Sequence, residues 1–173
     1  MRVIAGTAKG RRLGAPAGDT TRPTADRVRE ATFNALTSLA AVDGTVLDLF
    51  AGSGALGIEA LSRGAASATF VDTDARAIAA VRANLEATGL DGRATIVRND
   101  ALRFLASRPE RFDLALLDPP YTFADADWAG LLAALDADVA VLESDREVAV
   151  PAPWQVLRSK RYGGTVVAIA QRA

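Results

Sequence analysis

The chain has 173 residues, 50% of them hydrophobic and 24% charged, which suits one domain with a sizeable core. It contains no cysteine and no histidine, which excludes disulfides, thiolate or imidazole metal ligation and Ser-His-Asp hydrolysis. The formal net charge is −1, yet residues 1–30 hold Arg2, Lys9, Arg11, Arg12, Arg22, Arg27 and Arg29 against Asp19, Asp26 and Glu30; seven minus three leaves a local +4 able to meet phosphate.

No stretch approaches the roughly 18 uncharged apolar residues of a membrane span. The start, "MRVIAGTAKGRR", has no apolar h-region, so no secretory signal is expected. A reducing cytoplasm is the expected compartment. With no metal-ligand cluster, no metal requirement is expected.

Residues 1–25 read as a basic N-terminal arm or β-hairpin, built from the glycine-bounded segments "RVIAG" and "GRRLGAP". A helix is predicted from Pro23 and Thr24, with Asp26 near its positive end and Val28, Ala31, Ala35 (or Leu36) and Leu39 at helical spacing. From residue 45 the chain alternates. "TVLDLF" is a predicted strand and "ALGIEALSRG" a helix ending at Gly64; "SATFVD" is the next strand. "DARAIAAVRANLEATG" is a helix with Asp74 as N-cap, Ile78, Val81 (or Arg82) and Leu85 on one stripe, and Gly89 as its stop. "RATIVRND" (strand), "ALRFLAS" (helix), "FDLALLD" (strand), "DWAGLLAALD" (helix) and "DVAVLES" (strand) follow. The tail "WQVLRSKRYGGTVVAIAQ" holds two β-rich runs around a Gly-Gly turn. The alternation predicts an α/β fold, a mostly parallel sheet with helices on both faces and an antiparallel C-terminal edge. Residues 26–173 form a single domain in this reading.

In "DLFAGSGALGIEAL", Gly52, Gly54 and Gly57 stand in GxGxxG spacing between a strand and a helix. Glycines there let the backbone turn sharply and approach a ligand, in front of free helix N–H groups. Asp48 precedes the loop, and Asp72 and Asp100 each follow an apolar strand. Asp72 could accept from two ribose hydroxyls and Asp100 from an adenine amine; acids at strand ends are also helix caps. A nicotinamide dinucleotide satisfies this much equally well.

"LLDPPY" at 116–121 is more specific. An amine attached to a ring or carbonyl is a poor nucleophile because its lone pair is delocalised. An acceptor on each N–H favours a pyramidal nitrogen whose lone pair can attack a methyl group. Asp118 offers a carboxylate oxygen and Pro119 a carbonyl, Pro119 and Pro120 stiffen the loop, and Tyr121 offers a flat face for stacking. No histidine is needed, because the nitrogen becomes acidic once methylated.

A glycine loop, an acid after each of the next two strands and (N/D)PP(Y/F/W) after the fourth resemble the class I S-adenosylmethionine-dependent methyltransferases that act on exocyclic nitrogen. "RVIAGTAKGRRL", "RPTADRVREATFNAL", "DLFAGSGALGIEALSRGA", "LLDPPY" and "KRYGGTVVAIA" together resemble the bacterial RsmD family nearly end to end. The resemblance implies a Rossmann-like seven-stranded sheet and methylation of N2 of one guanine in small-subunit ribosomal RNA. It implies that Asp48, Phe50, Gly52, Gly54, Asp72, Asp100 and Ala101 bind S-adenosyl-L-methionine, and that Asp118, Pro119 and Tyr121 hold the guanine. The family often has glutamate where Asp72 stands, and more often an acid where Gly164 stands. The seven basic residues of the N-terminal thirty become candidates for RNA phosphate, with Arg27 and Arg29 about 160 to 200° apart around their helix. The target base must leave its stack. An assembled or partly assembled 30S particle, with ribosomal proteins as further partners, is the expected substrate, and a monomer the expected state. The clamp alone does not separate guanine N2 from adenine N6, cytosine N4 or a glutamine amide. A nicotinamide oxidoreductase and a non-catalytic RNA binder are the other readings.

Overall fold

Short apolar runs, each closed by a glycine or a polar turn, become the strands, and the amphipathic segments between them become the helices. The computed structural model describes residues 1–18 and 23–173. Its elements run α1 (Pro23–Ser38), β1 (Thr45–Leu49), α2 (Ala55–Ser62), β2 (Ser67–Asp72), α3 (Ala75–Thr88), β3 (Ala94–Arg98), α4 (Ala101–Ser107), β4 (Phe112–Leu117), α5 (Asp125–Ala134), β5 (Ala137–Ser144), β6 (Trp154–Tyr162) and β7 (Thr165–Arg172). The strands form one sheet in the order β3-β2-β1-β4-β5-β7-β6. Strands β1 to β5 pair in parallel, and β7 runs antiparallel to both β5 and β6. This is the expected α/β sheet with its antiparallel C-terminal edge.

Strand register sorts the side chains into two layers. Asp48, Leu116 and Val141 are in-register partners across β1, β4 and β5, so they share a face. On that face Val28, Phe33 and Leu36 of α1, Ile58 and Leu61 of α2, and Val81 and Leu85 of α3 fill the core. Leu47, Leu49, Ala115, Leu117 and Leu142 point the other way, against Phe104 of α4 and Trp128 and Leu131 of α5.

Two helical stripes differ from the expected ones. Leu39 is 46% exposed rather than core, because α1 ends at Ser38 and the chain turns through Ala40 at φ +52°. On α3, Val81 and Leu85 are buried as expected and Ile78 only half-buried; Ala77 and Asn84 complete the inner face. Asp74 caps α3 by accepting the Arg76 N–H at 2.8 Å, and Gly89 ends it at φ +70°.

The N-terminal segment is a narrow hairpin, with one bridge between Arg2 and Arg12. Val3, Ala8 and Leu13 are its buried residues. It is held to the sheet's helices by side chains that satisfy its backbone. Glu59 of α2, 0% exposed, accepts N–H bonds from Ile4 (2.8 Å) and Ala5 (3.1 Å). Ser62 accepts from the Ala8 N–H at 2.9 Å and donates to the Ala5 carbonyl at 2.6 Å. Asn84 of α3 accepts from Gly14 N–H and donates to its carbonyl, both at 2.8 Å. Among the described residues no helix is long and apolar enough to cross a membrane.

Glu59 also pairs with Arg63 (2.8 Å) and lies 3.8 Å from the Arg29 guanidinium. Removing it strands two amides and a buried arginine. Glu59→Ala should therefore lower unfolding free energy by about 3–5 kcal/mol in a urea titration. A loss below about 1 kcal/mol would show that the segment is held by its apolar contacts instead.

Candidate active site

The strand order reverses between β1 and β4, and open α/β sheets bind ligands outside the carboxyl ends of strands at such a point. The glycine loop leaves β1 there. Gly52 (φ +56°) and Gly54 (φ +78°) take left-handed conformations that a side chain disfavours, and Gly54 caps α2 without any side chain in the way. Gly57 is needed for a different reason: a Cβ there would lie 2.4 Å from the Phe70 ring and 3.0 Å from the Asp48 carboxylate. Phe50 is left-handed too, at φ +66°, a strain of about 1–3 kcal/mol. Its ring packs edge-on against Phe123, which packs the same way against Trp128, both at 5.4 Å between centroids.

Two acids fix the loop. Asp48 accepts the Gly57 N–H at 2.8 Å. Asp72 accepts the Gly52 N–H through one oxygen and the Asp74 N–H through the other, both at 2.9 Å. It thereby ties the glycine loop to the start of α3, and each oxygen keeps acceptor capacity.

Two clefts open beside this loop. The first, about 180 Å³, is lined by Asp48, Phe50, Gly52, Ser53, Asp118 and Glu143 among others. The second, about 320 Å³, is lined by Val28, Tyr121, Glu143, Tyr162, Gly163 and Thr165 among others. Glu143 belongs to both walls. The Tyr121 hydroxyl lies 3.1 Å from Thr165 Oγ1, and half of the residue stays open to solvent. Its ring is thus tethered at one end to the start of β7 and free to stack.

The carboxylates on this face crowd one another. Burial pushes Asp48 up to about 8, against the opposing Gly57 N–H and with help from Asp72. Asp118 is accessible along the cleft wall, but protein surrounds the carboxyl itself; desolvation, then the charges of Glu143 and Asp48, raise it well above the ordinary range. Glu143 is raised by desolvation and pulled back by Arg29.

Of the residues expected to bind a cofactor, Asp48, Phe50 and Gly52 share the first cleft, Asp72 accepts the Gly52 N–H, and Gly54 caps α2 two residues on. Asp100 and Ala101 lie apart from this lining, at the start of α4, where Asp100 accepts the Arg103 N–H at 3.0 Å as a helix cap. Asp118 reaches the first cleft and Tyr121 the second, with Pro119 buried between them. Arg2, Lys9, Arg11, Arg12 and Arg27 are exposed; Arg22 lies outside the described residues. Arg29 needs correction as a phosphate contact. It is 4% exposed, donates to the Arg2 carbonyl and to Asp26, and faces Glu59, because the helical turn that exposes Arg27 directs Arg29 inward. Sequence reasoning missed Glu143 and Glu59. The strand-end rule that found Asp72 applies to Glu143, and a lone acid in the apolar run "ALGIEALS" marked Glu59.

A family model described as conserved hypothetical protein 95 matches residues 1–171. The chain is 44% identical to a putative rRNA methyltransferase, YlbH, of Bacillus subtilis, over 99% of both sequences. It is 37% identical to ribosomal RNA small subunit methyltransferase D of Escherichia coli strain K12, over 99% of this chain and 90% of that one. Among solved structures, the putative methyltransferase yhhF from Escherichia coli superposes with a TM-score of 0.86 at 38% identity, covering 99% of this chain and 97% of the other.

The burial of Asp48 has a measurable consequence. Its folded-state value of about 8 exceeds the ordinary 3.8, so between these values the folded chain holds a proton that the unfolded chain releases. Stability should fall by about 1.4 kcal/mol per pH unit over that window on account of this residue, and no further above it. Asp48→Asn should remove that slope in denaturant titrations from pH 4 to 9. An unchanged slope would place the raised titration elsewhere.

Proposed function

Because the chain belongs to the RsmD family, we propose that it transfers a methyl group from S-adenosyl-L-methionine to small-subunit ribosomal RNA, at the exocyclic N2 of one guanine. The observation that carries this reading is the placement of Asp118: it lines the glycine-loop cleft, while Tyr121, three residues on, lines the adjoining one. In this reading a cofactor site and a planar-base site adjoin across Glu143, with Asp118 on the first side and Tyr121 on the second.

The first cleft fits the cofactor by its own chemistry. It has a loop without side chains at Gly52 and Gly54, a helix start whose N-cap residue brings no side chain and whose Gly57 N–H is taken by Asp48, and acceptors at its edge. Asp48, Phe50, Gly52 and Gly54 would line the site, Asp72 would take ribose hydroxyls, and Asp100 with Ala101 would meet the adenine. When bound, S-adenosyl-L-methionine supplies an electrophilic methyl group on a sulfonium. The protein's part is to present the nucleophile. Asp118 accepts one N–H of the 2-amino group and the Pro119 carbonyl accepts the other, and two prolines hold these acceptors fixed. Tyr121 stacks on the flipped base. The methylated nitrogen then sheds a proton, and an Asp118 whose affinity for protons is raised is suited to receive it.

RNA is held, in this reading, by the exposed Arg2, Lys9, Arg11, Arg12 and Arg27, a few phosphate contacts sufficing for salt-dependent binding. A small domain with so few exposed basic residues suits a substrate that is an assembled or partly assembled 30S particle, recognised through ribosomal proteins as well as RNA, by a cytoplasmic monomer.

The test is methyl transfer from labelled S-adenosyl-L-methionine to small subunits lacking the modification, beside free ribosomal RNA and DNA, with the product nucleoside identified by mass. N2-methylguanosine from subunits is expected. Methylated adenine, or label confined to DNA or protein, would reject the guanine assignment. Asp118→Ala should keep cofactor affinity within about threefold and lose at least about 100-fold in turnover; full turnover would remove Asp118 from the chemistry.

A further inference from the structure

Glu143 stands one register step beyond the Leu117–Leu142 pair, on the strand beside Asp118. Parallel register and alternation place both carboxylates on the α1 face of the sheet, where Asp48 also lies. Among the described residues neither Asp118 nor Glu143 accepts a hydrogen bond or forms an ion pair. Asp48, Asp72 and Asp100 have backbone donors; these two do not. Glu143 is half-buried and walls both clefts. Crowded acids with no protein donor are left to cleft water, which a ligand bringing its own donors can replace.

The acceptor base is the ligand whose donors match. A carboxylate accepts and does not donate. The Watson–Crick edge of guanine presents N1–H beside the two hydrogens of its 2-amino group, an unbroken row of donors. Adenine and cytosine present an amine beside a ring nitrogen that is itself an acceptor, which would oppose a second carboxylate lone pair to lone pair. With Asp118 and the Pro119 carbonyl on the amine, the next donor along a guanine edge falls to a neighbouring acceptor in the same wall.

We propose that Glu143 is the residue that selects guanine, its carboxylate accepting the N1–H while Asp118 and Pro119 hold the 2-amino group. The proposal rests on the guanine-N2 reading of the acceptor site. It explains why a motif shared by enzymes of different bases can be specific here: Asp118 recognises an amine, and Glu143 recognises what lies beside it.

The probe is 2-aminopurine, which carries the same 2-amino group but an unprotonated N1. The methylated position is first located by mapping the label from native particles. Small subunits are then reconstituted with guanine or 2-aminopurine at that position, and kcat/KM is measured for wild type and Glu143→Gln. Wild type should prefer guanine by about 100-fold, the loss expected when a charged acceptor meets a lone pair. Glu143→Gln, whose amide can donate to N1, should bring the preference within about fivefold or reverse it, and Glu143→Asp should restore part of it. A ratio unchanged in Glu143→Gln would overturn the proposal, whether activity falls or not. So would a raised cofactor Kd with the ratio intact, which would assign Glu143 to the cofactor's ammonium. Failure of wild type to form N2-methylguanosine on native particles is a separate result, and it defeats the underlying reading rather than the role of Glu143.

Discussion

Burial of carboxylates at the ends of adjacent parallel strands, with repulsion among them added, is the constraint around which this site is built. Parallel register delivers Asp48, Asp118 and Glu143 to the same face and the same end of the sheet. Asp48 is buried and Glu143 half-buried there, so each charge raises the cost of the next. Asp48 is relieved by a helix N–H, and Glu143 feels Arg29 across the cleft. Asp118 has no such relief among the described residues. An unpaired acid in such a wall gains most from an incoming N–H, which is what the proposed role of Asp118 draws on.

The N-terminal hairpin and α1 complete that wall from the other side. Arg29 reaches inward from α1, bonded to the Arg2 carbonyl and to Asp26, with Glu59 behind it. Its Nε has no hydrogen-bond partner among the described residues. The hairpin is consequently part of the electrostatics of the site, through an arginine that is 4% exposed and lines the first cleft. Folding of the hairpin and the charge balance of the cleft are therefore linked. Exposed Arg11 and Arg12 on the same hairpin remain outside that network.

Much of this was legible in the residues, and the illegible part has a common cause. Glycine spacing after an apolar strand located the loop, since only a few geometries let a chain leave β1 and start α2 so abruptly. Asp-Pro-Pro-Tyr located the loop after β4, because two prolines after a carboxylate are hard to place anywhere except a rigid loop. Asp74 was read correctly as a cap, and Asp100 caps as well, a role that an acid after a strand shares with ligand binding. Neighbours across the sheet were not readable. Glu143 lies 25 positions after Asp118, and only the adjacency of β4 and β5 brings them together. Periodicity separated Arg27 from Arg29 but could not say which one faced inward, because both flanks of α1 are mixed. Leu39 misled for a related reason: spacing continues past Ser38, but the backbone does not.

The contact beneath the glycine loop bears on how this sequence can change over generations. Position 57 has no room for even one more carbon because the Phe70 ring and the Asp48 carboxylate already occupy the space. Drift at 57 is blocked unless 70 becomes smaller first, and a smaller residue at 70 leaves a void unless 57 grows. The two positions, on different elements, are thus free to move only as a pair, through an intermediate that is worse than either end. Among descendants of this chain, that coupling should appear as correlated replacement at 57 and 70, with Asp48 held still between them.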